Sequence, residues 1–548
     1  VTHEHYRKKV GDAFGKVIPG IFTDEPNYSS LFPWTGCLAE TFKAMHGYDV
    51  LDFLPELFFK VGGEAFSKVR LDYHDTVTFL FVNAFSKTVG KWCGKNGLDF
   101  TGHVLSEDTL NAQTHVVGSA MRFYEFMQAP GIDLLTEHWQ IFGTAKQCTS
   151  MAHQFGRKRR LSETYGCTGW DFALEGHKAL GDWQMALGIN LRCQHLAWYS
   201  MEAAAKRDYP ASIFRQSPWH GVYAASEDYF ARIGSILSEG EEVRDLLVIH
   251  PIESVWGLKI DKDDNGIKSL QGEFAELRRR LLADNIDFDY GDEEIMSRHG
   301  KIKGKKLFVK LAGYTTVVIP ELLTIRSSTL KTLYDFSIAG GQVFFLGTPP
   351  ARVDGKASKA AVRAYKAFKA CTMNGVCSAV APSARRLSIT QNGQETEATL
   401  YLMSDSSERL SLFVCNTSAP MPTNENEMSF SFVRDRILAY PQAVLKIASR
   451  DRGDVYEVDT RTGAIHKVGY TYGEGFYKIE CPLGRLESRL FMITGEKLGR
   501  TLPTPKRHGQ FTNFVKLPQK KLGYTLSEPN AIVLDHALCT VDGVAATE

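Results

Sequence analysis

Ile18-Pro19-Gly20-Ile21-Phe22-Thr23-Asp24-Glu25-Pro26 is a short apolar run that ends in two acids and a proline. Its apolar part is strand-length, and the acids fall where the chain turns out of it. The pattern returns in Leu98-Asp99-Phe100-Thr101-Gly102-His103-Val104-Leu105-Ser106-Glu107 and in Arg160-Leu161-Ser162-Glu163-Thr164-Tyr165-Gly166. Working outward, candidate strands lie at Val17–Thr23, Leu98–Leu105, Gly131–Leu135, Arg159–Ser162 and Ile189–Ala197. Helix-like stretches separate them at Val69–Asn96, Thr109–Gln128, Ala145–Phe155 and Phe172–Leu187. Strands alternating with helices predict a parallel sheet with the helices outside it. Five such units suit a (β/α) barrel better than a short open sheet, whereas closure needs eight. Val1–Lys16 reads as a helix directly before a strand. Residues 1–240 are therefore expected to hold the C-terminal five units of a (β/α)8-type barrel.

The rest of the chain changes character twice. Over 241–380, strand-like Asp245–Ile249, Thr315–Pro320 and Gln342–Gly347 alternate with helical Gly272–Asp284 and Ser328–Ile338, which predicts a small doubly wound α/β domain. It has no phosphate loop, and no cysteine lies between 193 and 371 to act as a nucleophile there, so the domain is read as structural. Over 381–500, short alternating strands with turn residues between them, including a hairpin at Asp459-Thr460-Arg461-Thr462-Gly463, predict a β-sandwich. Residues 501–548 read as a linker and the start of a further β domain. The fold class is thus multidomain α/β plus β.

Composition excludes some functions. The chain has 64 Lys plus Arg against 63 Asp plus Glu, without the basic excess that displacing phosphate counterions requires, so nucleic acid is not an expected partner. The run Arg157-Lys158-Arg159-Arg160 reads as a solvated strand entrance. No apolar run approaches the roughly 18 residues of a membrane span. The ten cysteines include no CxxC pair and read as reduced and mostly buried, which weakly favours the cytoplasm. The chain begins at Val1 without a methionine, so a secreted or periplasmic protein stays open.

In a parallel barrel, reactive groups gather at the carboxyl ends of the strands. Three candidate strands end in acids: Asp24 and Glu25, Glu107, and Glu163. Each has a plainer reading. Asp24-Glu25-Pro26 could begin a helix, and Ser106-Glu107 and Ser162-Glu163 could be caps. Their shared topological place favours chemistry. Two carboxylates across a cavity suit glycosidic cleavage, one protonating the leaving oxygen and the other attacking or activating water. Carboxyls about 5–5.5 Å apart retain configuration and about 6.5–9.5 Å invert it. Aromatic and imidazole side chains fall in or beside the strand-end loops: Trp34, Tyr165, Trp170, His195, Trp198, Tyr199 and Trp219. No metal motif is visible.

Gly20-Ile21-Phe22-Thr23-Asp24-Glu25-Pro26 resembles the strand-four motif of barrel glycosidases. Gly102-His103 with Glu107, Leu161-Ser162-Glu163-Thr164-Tyr165-Gly166 with Gly169-Trp170-Asp171, Gln194-His195 and Tyr199-Ser200 continue the likeness. Together they resemble large bacterial enzymes related to glycoside hydrolase family 106, the α-L-rhamnosidases, over about residues 1–260. The domain order, with a flavodoxin- or amidotransferase-like domain lacking its cysteine, is similar to that group and to family 42 β-galactosidases. The resemblance implies Glu25 on strand four as general acid and Glu163 on strand seven as base, or as nucleophile if the enzyme retains. It implies Asp24, His103, Glu107, Tyr165, Trp170, His195 and Tyr199 around the sugar, an oligo- or polysaccharide substrate, and calcium without an assignable ligand set. The rivals are a retaining β-galactosidase-like enzyme and a non-catalytic carbohydrate binder.

Overall fold

The computed structural model describes residues 2–28, 30–137, 140–198, 200, 202, 209–211, 213–260, 265–422, 432–498, 501–503, 525, 539–541 and 544–546 of the 548-residue chain. Five parallel strands, β1 (Gly20–Thr23), β2 (Asp99–Gly102), β3 (Ala129–Asp133), β4 (Leu161–Thr164) and β5 (Leu191–Gln194), lie side by side in sequence order. They are half of a barrel wall, with β1 and β5 as its edges among the described residues.

β1, β2 and β5 are shorter than the candidate strands that signalled them, while β3 lies two residues earlier and β4 two residues later than its candidate. Val17 belongs to a turn and is 82% exposed, so β1 starts only at Gly20. A side chain at Gly20 would collide with the Asp99 carbonyl oxygen at 2.6 Å, so the two strands meet closely because Gly20 has none. The expected helix Thr109–Gln128 is broken into Leu110–Val116 and Ala120–Tyr124. The break sits at Gly118, whose φ of +75° cannot continue a helix, and Ser119 caps the second piece by accepting from the Arg122 N–H. Val69–Asn96 likewise divides at Phe85 into Lys68–Ala84 and Ser86–Lys95.

The second unit is a parallel sheet of β6 (Leu246–Ile249), β7 (Phe288–Gly291), β8 (Thr316–Ile319), β9 (Gln342–Leu346) and β10 (Lys369–Cys371), in the order β10-β9-β8-β6-β7. Every residue of β6 and β8 is buried, as expected of strands covered on both faces. Beyond it, a five-stranded antiparallel sheet and a seven-stranded sheet, antiparallel except where Ile465–Lys467 meets Leu502–Pro503, enclose a separate core that includes Leu445, Tyr477 and Phe491. The hairpin at Asp459–Gly463 is present, with Gly463 at φ +77° and its N–H on the Asp459 carbonyl.

Two features were hidden from sequence. The barrel half and the α/β unit share one continuous hydrophobic core, running from Phe100 and Trp183 to Trp256 and Val317. Glu241–Glu242 adds a short edge to the seven-stranded sheet by pairing with Thr399–Asp405. The basic run is not uniformly solvated: Lys158 and Arg159 are exposed, but Arg160 is buried and ion-paired with Glu242. No described helix is long and apolar enough to cross a membrane. The nine cysteines whose side chains are described are all free.

Candidate active site

The carboxyl ends of β1 to β4 bring acids and imidazoles into one cluster. Asp24 and Glu25 follow β1, His103 follows β2, Asp133 ends β3, and Glu163 lies one residue before the end of β4. Asp133 and Glu163 are register partners, so their side chains rise from the same face of the sheet. His103, 1% exposed, places Nε2 at 2.6 Å from Glu163 Oε2 and 3.6 Å from Asp24 Oδ1. His195, just past β5, places Nε2 at 3.5 Å from the other Glu163 oxygen. Gly166 makes room for that ring, since a Cβ there would meet His195 Cγ at 2.8 Å.

Burial works against charge on His103, but the Glu163 hydrogen bond and the charges of Glu107, Asp133 and Glu163 outweigh it and push the imidazole up to about 9. At neutral pH it is therefore an imidazolium that donates to Glu163. Burial raises the Asp133 carboxyl to about 6. His103 opposes this rise, while Glu163, Glu25 and Asp24 add to it. Backbone strain collects at the same ends: Glu25 (φ 48°), Ser106 (φ 51°), Tyr165 (φ 70°), Cys167 (φ 56°) and Leu196 (φ 56°) all hold the left-handed conformation just beyond a strand. Non-glycine residues adopt it at a cost, and such strain concentrates where a side chain must be aimed. At Glu25 the turn is held by Asn27 Nδ2, which donates to the Glu25 carbonyl at 2.7 Å.

The expected sugar-contacting residues divide. Asp24 is largely exposed at the mouth, and His103 and His195 reach the cluster. Trp170 is half-buried and stacks on buried Trp198 with centroids 5.3 Å apart and an interplanar angle of 26°. Two lie deeper in the structure. Tyr165 is fully buried, its hydroxyl donating to the His177 carbonyl and accepting from Arg192, so it braces the wall. Glu107, 3% exposed, lies behind the cluster with its oxygens on the Asp133 N–H and the Tyr124 hydroxyl. Burial lifts its carboxyl to about 8 despite His103 and those two donors. Tyr199 lies outside the described residues. Asp133 was missed, although Gly131-Ile132-Asp133 repeats the apolar-run-then-acid signal of the other strands.

The calcium implied by the resemblance takes six to eight oxygen ligands. Among the described residues, the grouping whose ligand atoms lie within 4.8 Å of one another is Asp24 with His103 and Glu163, and it includes an imidazole nitrogen, a donor that suits zinc-like ions better. No three carboxylates among the described residues come that close, so the site does not present the oxygen set that calcium prefers.

Comparisons with known proteins bear on the family and the fold. The family model described as alpha-L-rhamnosidase, Glyco_hydro_106, matches residues 2–406. A rhamnosidase structure from Novosphingobium sp. PP1Y superposes with a TM-score of 0.67 at 17% identity, over 93% of this chain and 48% of its own. A catalytic mutant of Gan42B, a GH42 β-galactosidase from G. stearothermophilus, gives 0.54 at 10% identity over 83% and 75% of the two chains. At such identities the likeness is one of fold. A Formosa agariphila protein named "Putative beta-glucuronidase" is 23% identical over 359 residues, which are 62% of this chain and 28% of that protein. The chain thus spans about half the length of the rhamnosidase and less of the Formosa protein.

Proposed function

We propose, from the premise that this chain belongs to the α-L-rhamnosidase family, glycoside hydrolase 106, that the protein hydrolyses a terminal glycoside, an α-L-rhamnoside first among candidates, from an oligo- or polysaccharide. The observation that carries the reading is Glu163, gripped by the His103 imidazolium at one oxygen and approached by His195 at the other, amid acids from two further strands. Glu163 is the carboxylate that takes a proton from the attacking water. Its charge is balanced by His103, so it can sit in a half-buried place. Glu25, half-buried near the mouth and aimed by a left-handed turn, is the acid that protonates the leaving oxygen. Trp170, backed by Trp198, offers an aromatic face to a sugar ring.

Around the carboxylate, His103 orients Glu163, and the acids at the β1 and β3 ends bind hydroxyls of the substrate.

The test is an assay of the full-length protein on a panel of nitrophenyl glycosides, with the product anomer followed by proton NMR. The expected result is turnover led by α-L-rhamnoside with inversion. Glu163→Gln and Glu25→Gln should each cost about 10²–10⁴-fold in kcat, the usual span for a positioned acid or base, with folding unchanged. Full activity in both variants would overturn the two-glutamate reading, and a retained anomer would overturn the role of Glu163 as a base.

A further inference from the structure

We propose that Glu107 is a positioning residue of this site, a buried clamp that fixes the end of β3 and so the place of the Asp133 carboxyl beside Glu163. The inference rests on reading the strand ends as the glycosidase site.

The argument begins with the ladder. β2 pairs with β3 only at Thr101↔Ala129 and Gly102↔Pro130, whereas β4 continues alongside β3 to Asp133. Past Pro130, the β2 side of β3 therefore lacks a backbone neighbour in the ladder, and a buried N–H there must find another acceptor. The Asp133 N–H finds Glu107 Oε1 at 2.7 Å. The side chain of Glu107 takes the place of the missing strand.

Glu107 is itself held from several directions. Its other oxygen accepts from the Tyr124 hydroxyl at 3.1 Å, and its backbone carbonyl receives Gln113 Nε2 at 3.2 Å and Gln147 Nε2 at 3.0 Å. Those donors come from three different helices, Ala120–Tyr124, Leu110–Val116 and Phe142–Gln154. Ser106, immediately before it, is in the left-handed conformation that turns the chain inward. A fully enclosed carboxyl is costly, so an apolar residue would serve better if filling space were the whole task. What the carboxyl adds is an acceptor for one backbone group, and that group belongs to the residue whose side chain stands next to Glu163.

The experiment compares Glu107→Ala, Glu107→Gln and Tyr124→Phe in the full-length protein. Two readings are taken: kinetics on the best nitrophenyl glycoside, and exchange of the Asp133 amide hydrogen. Misplacing a group of the site by about an ångström costs on the order of 100-fold, so Glu107→Ala should lower kcat/KM by about that factor. Its Asp133 amide should exchange faster than in the unmodified protein. Glu107→Gln retains an oxygen for the same N–H and should restore both readings most of the way. Tyr124→Phe should produce a smaller loss in the same direction. The proposal is overturned if folded Glu107→Ala keeps its kcat/KM and its slow exchange, or if Glu107→Gln is as impaired as Glu107→Ala. Should Glu107→Ala fail to fold, the glutamine and phenylalanine variants decide by the same two readings. If the unmodified protein cleaves no glycoside, the functional reading falls, and exchange at Asp133 alone decides the clamp.

Discussion

At the residue scale, ionisable groups divide into those that serve the strand ends and those sealed in the core. His74, His177 and His250 are each no more than 2% exposed. Burial pushes His74 down to about 3 and the other two to about 4, from 6.5. Folded pKa values below the unfolded one mean that the unfolded chain binds these protons first. Their contribution is therefore complete above pH 6.5 and is lost as pH falls toward 4. Because the raised Glu107 and Asp133 carboxyls release protons on unfolding in the same window, the histidine share is read by difference, from urea unfolding of the protein and of a His177→Gln variant at stepped pH. The gap between the two should narrow as pH falls through the window, and a gap independent of pH would show that ring to be solvated. His103 behaves oppositely, because carboxylates surround it. The sequence displayed all sixteen histidines alike, and only the neighbours separate them.

At the element scale, the site depends on how closely β1 and β2 approach. Gly102 has φ +116°, and a Cβ there would lie 1.9 Å from the Thr23 carbonyl oxygen. Gly102→Ala should therefore destabilise the protein by about 3–4 kcal/mol, near the top of the range for one substitution, and displace the adjoining His103. Urea unfolding and the glycoside assay would show both effects, and a loss under about 1 kcal/mol would refute the tight approach. Much of this scale was readable beforehand. β1 and β2 stand within the candidate strands that announce them and β4 overlaps its own, each with an acid near or beyond its end, because strand formation and its termination are local matters. The helix breaks at Phe85 and Gly118 were not readable, since tertiary packing overrides a continuous amphipathic pattern.

At the scale of the whole molecule, the barrel half and the α/β unit are joined by a buried ion cluster as well as by their common core. Arg122 donates to Asp292, to Asp75 at 2.7 Å and to Glu253 at 2.6 Å, and Arg326 reaches Glu253 and Asp75 from the other side. Although burial opposes its charge, those acids raise the Arg122 guanidinium well above its usual range. Arg122→Met would leave three acids undercompensated and should cost about 3–5 kcal/mol, the range for breaking a buried pair from one side. Thermal unfolding would register it as a lower Tm, and an unchanged Tm would mean that the cluster contributes nothing net. Sequence could not foresee this joint, because its partners are separated by as many as 251 positions along the chain.

By itself the sequence determined the alternation of strands and helices, the presence of acids at strand ends and the later change to antiparallel sheets, since each follows from short-range periodicity and turn chemistry. It was also enough to name Asp24, His103 and Glu163, which the structure brings together. The tertiary structure alone decided which acids meet. It withdrew Glu107 and Tyr165 into the wall and brought Asp133 forward, because the direction of a side chain past a strand end depends on the left-handed turns there and on the neighbour that satisfies each backbone group. Those are long-range facts, and no spacing along the chain encodes them.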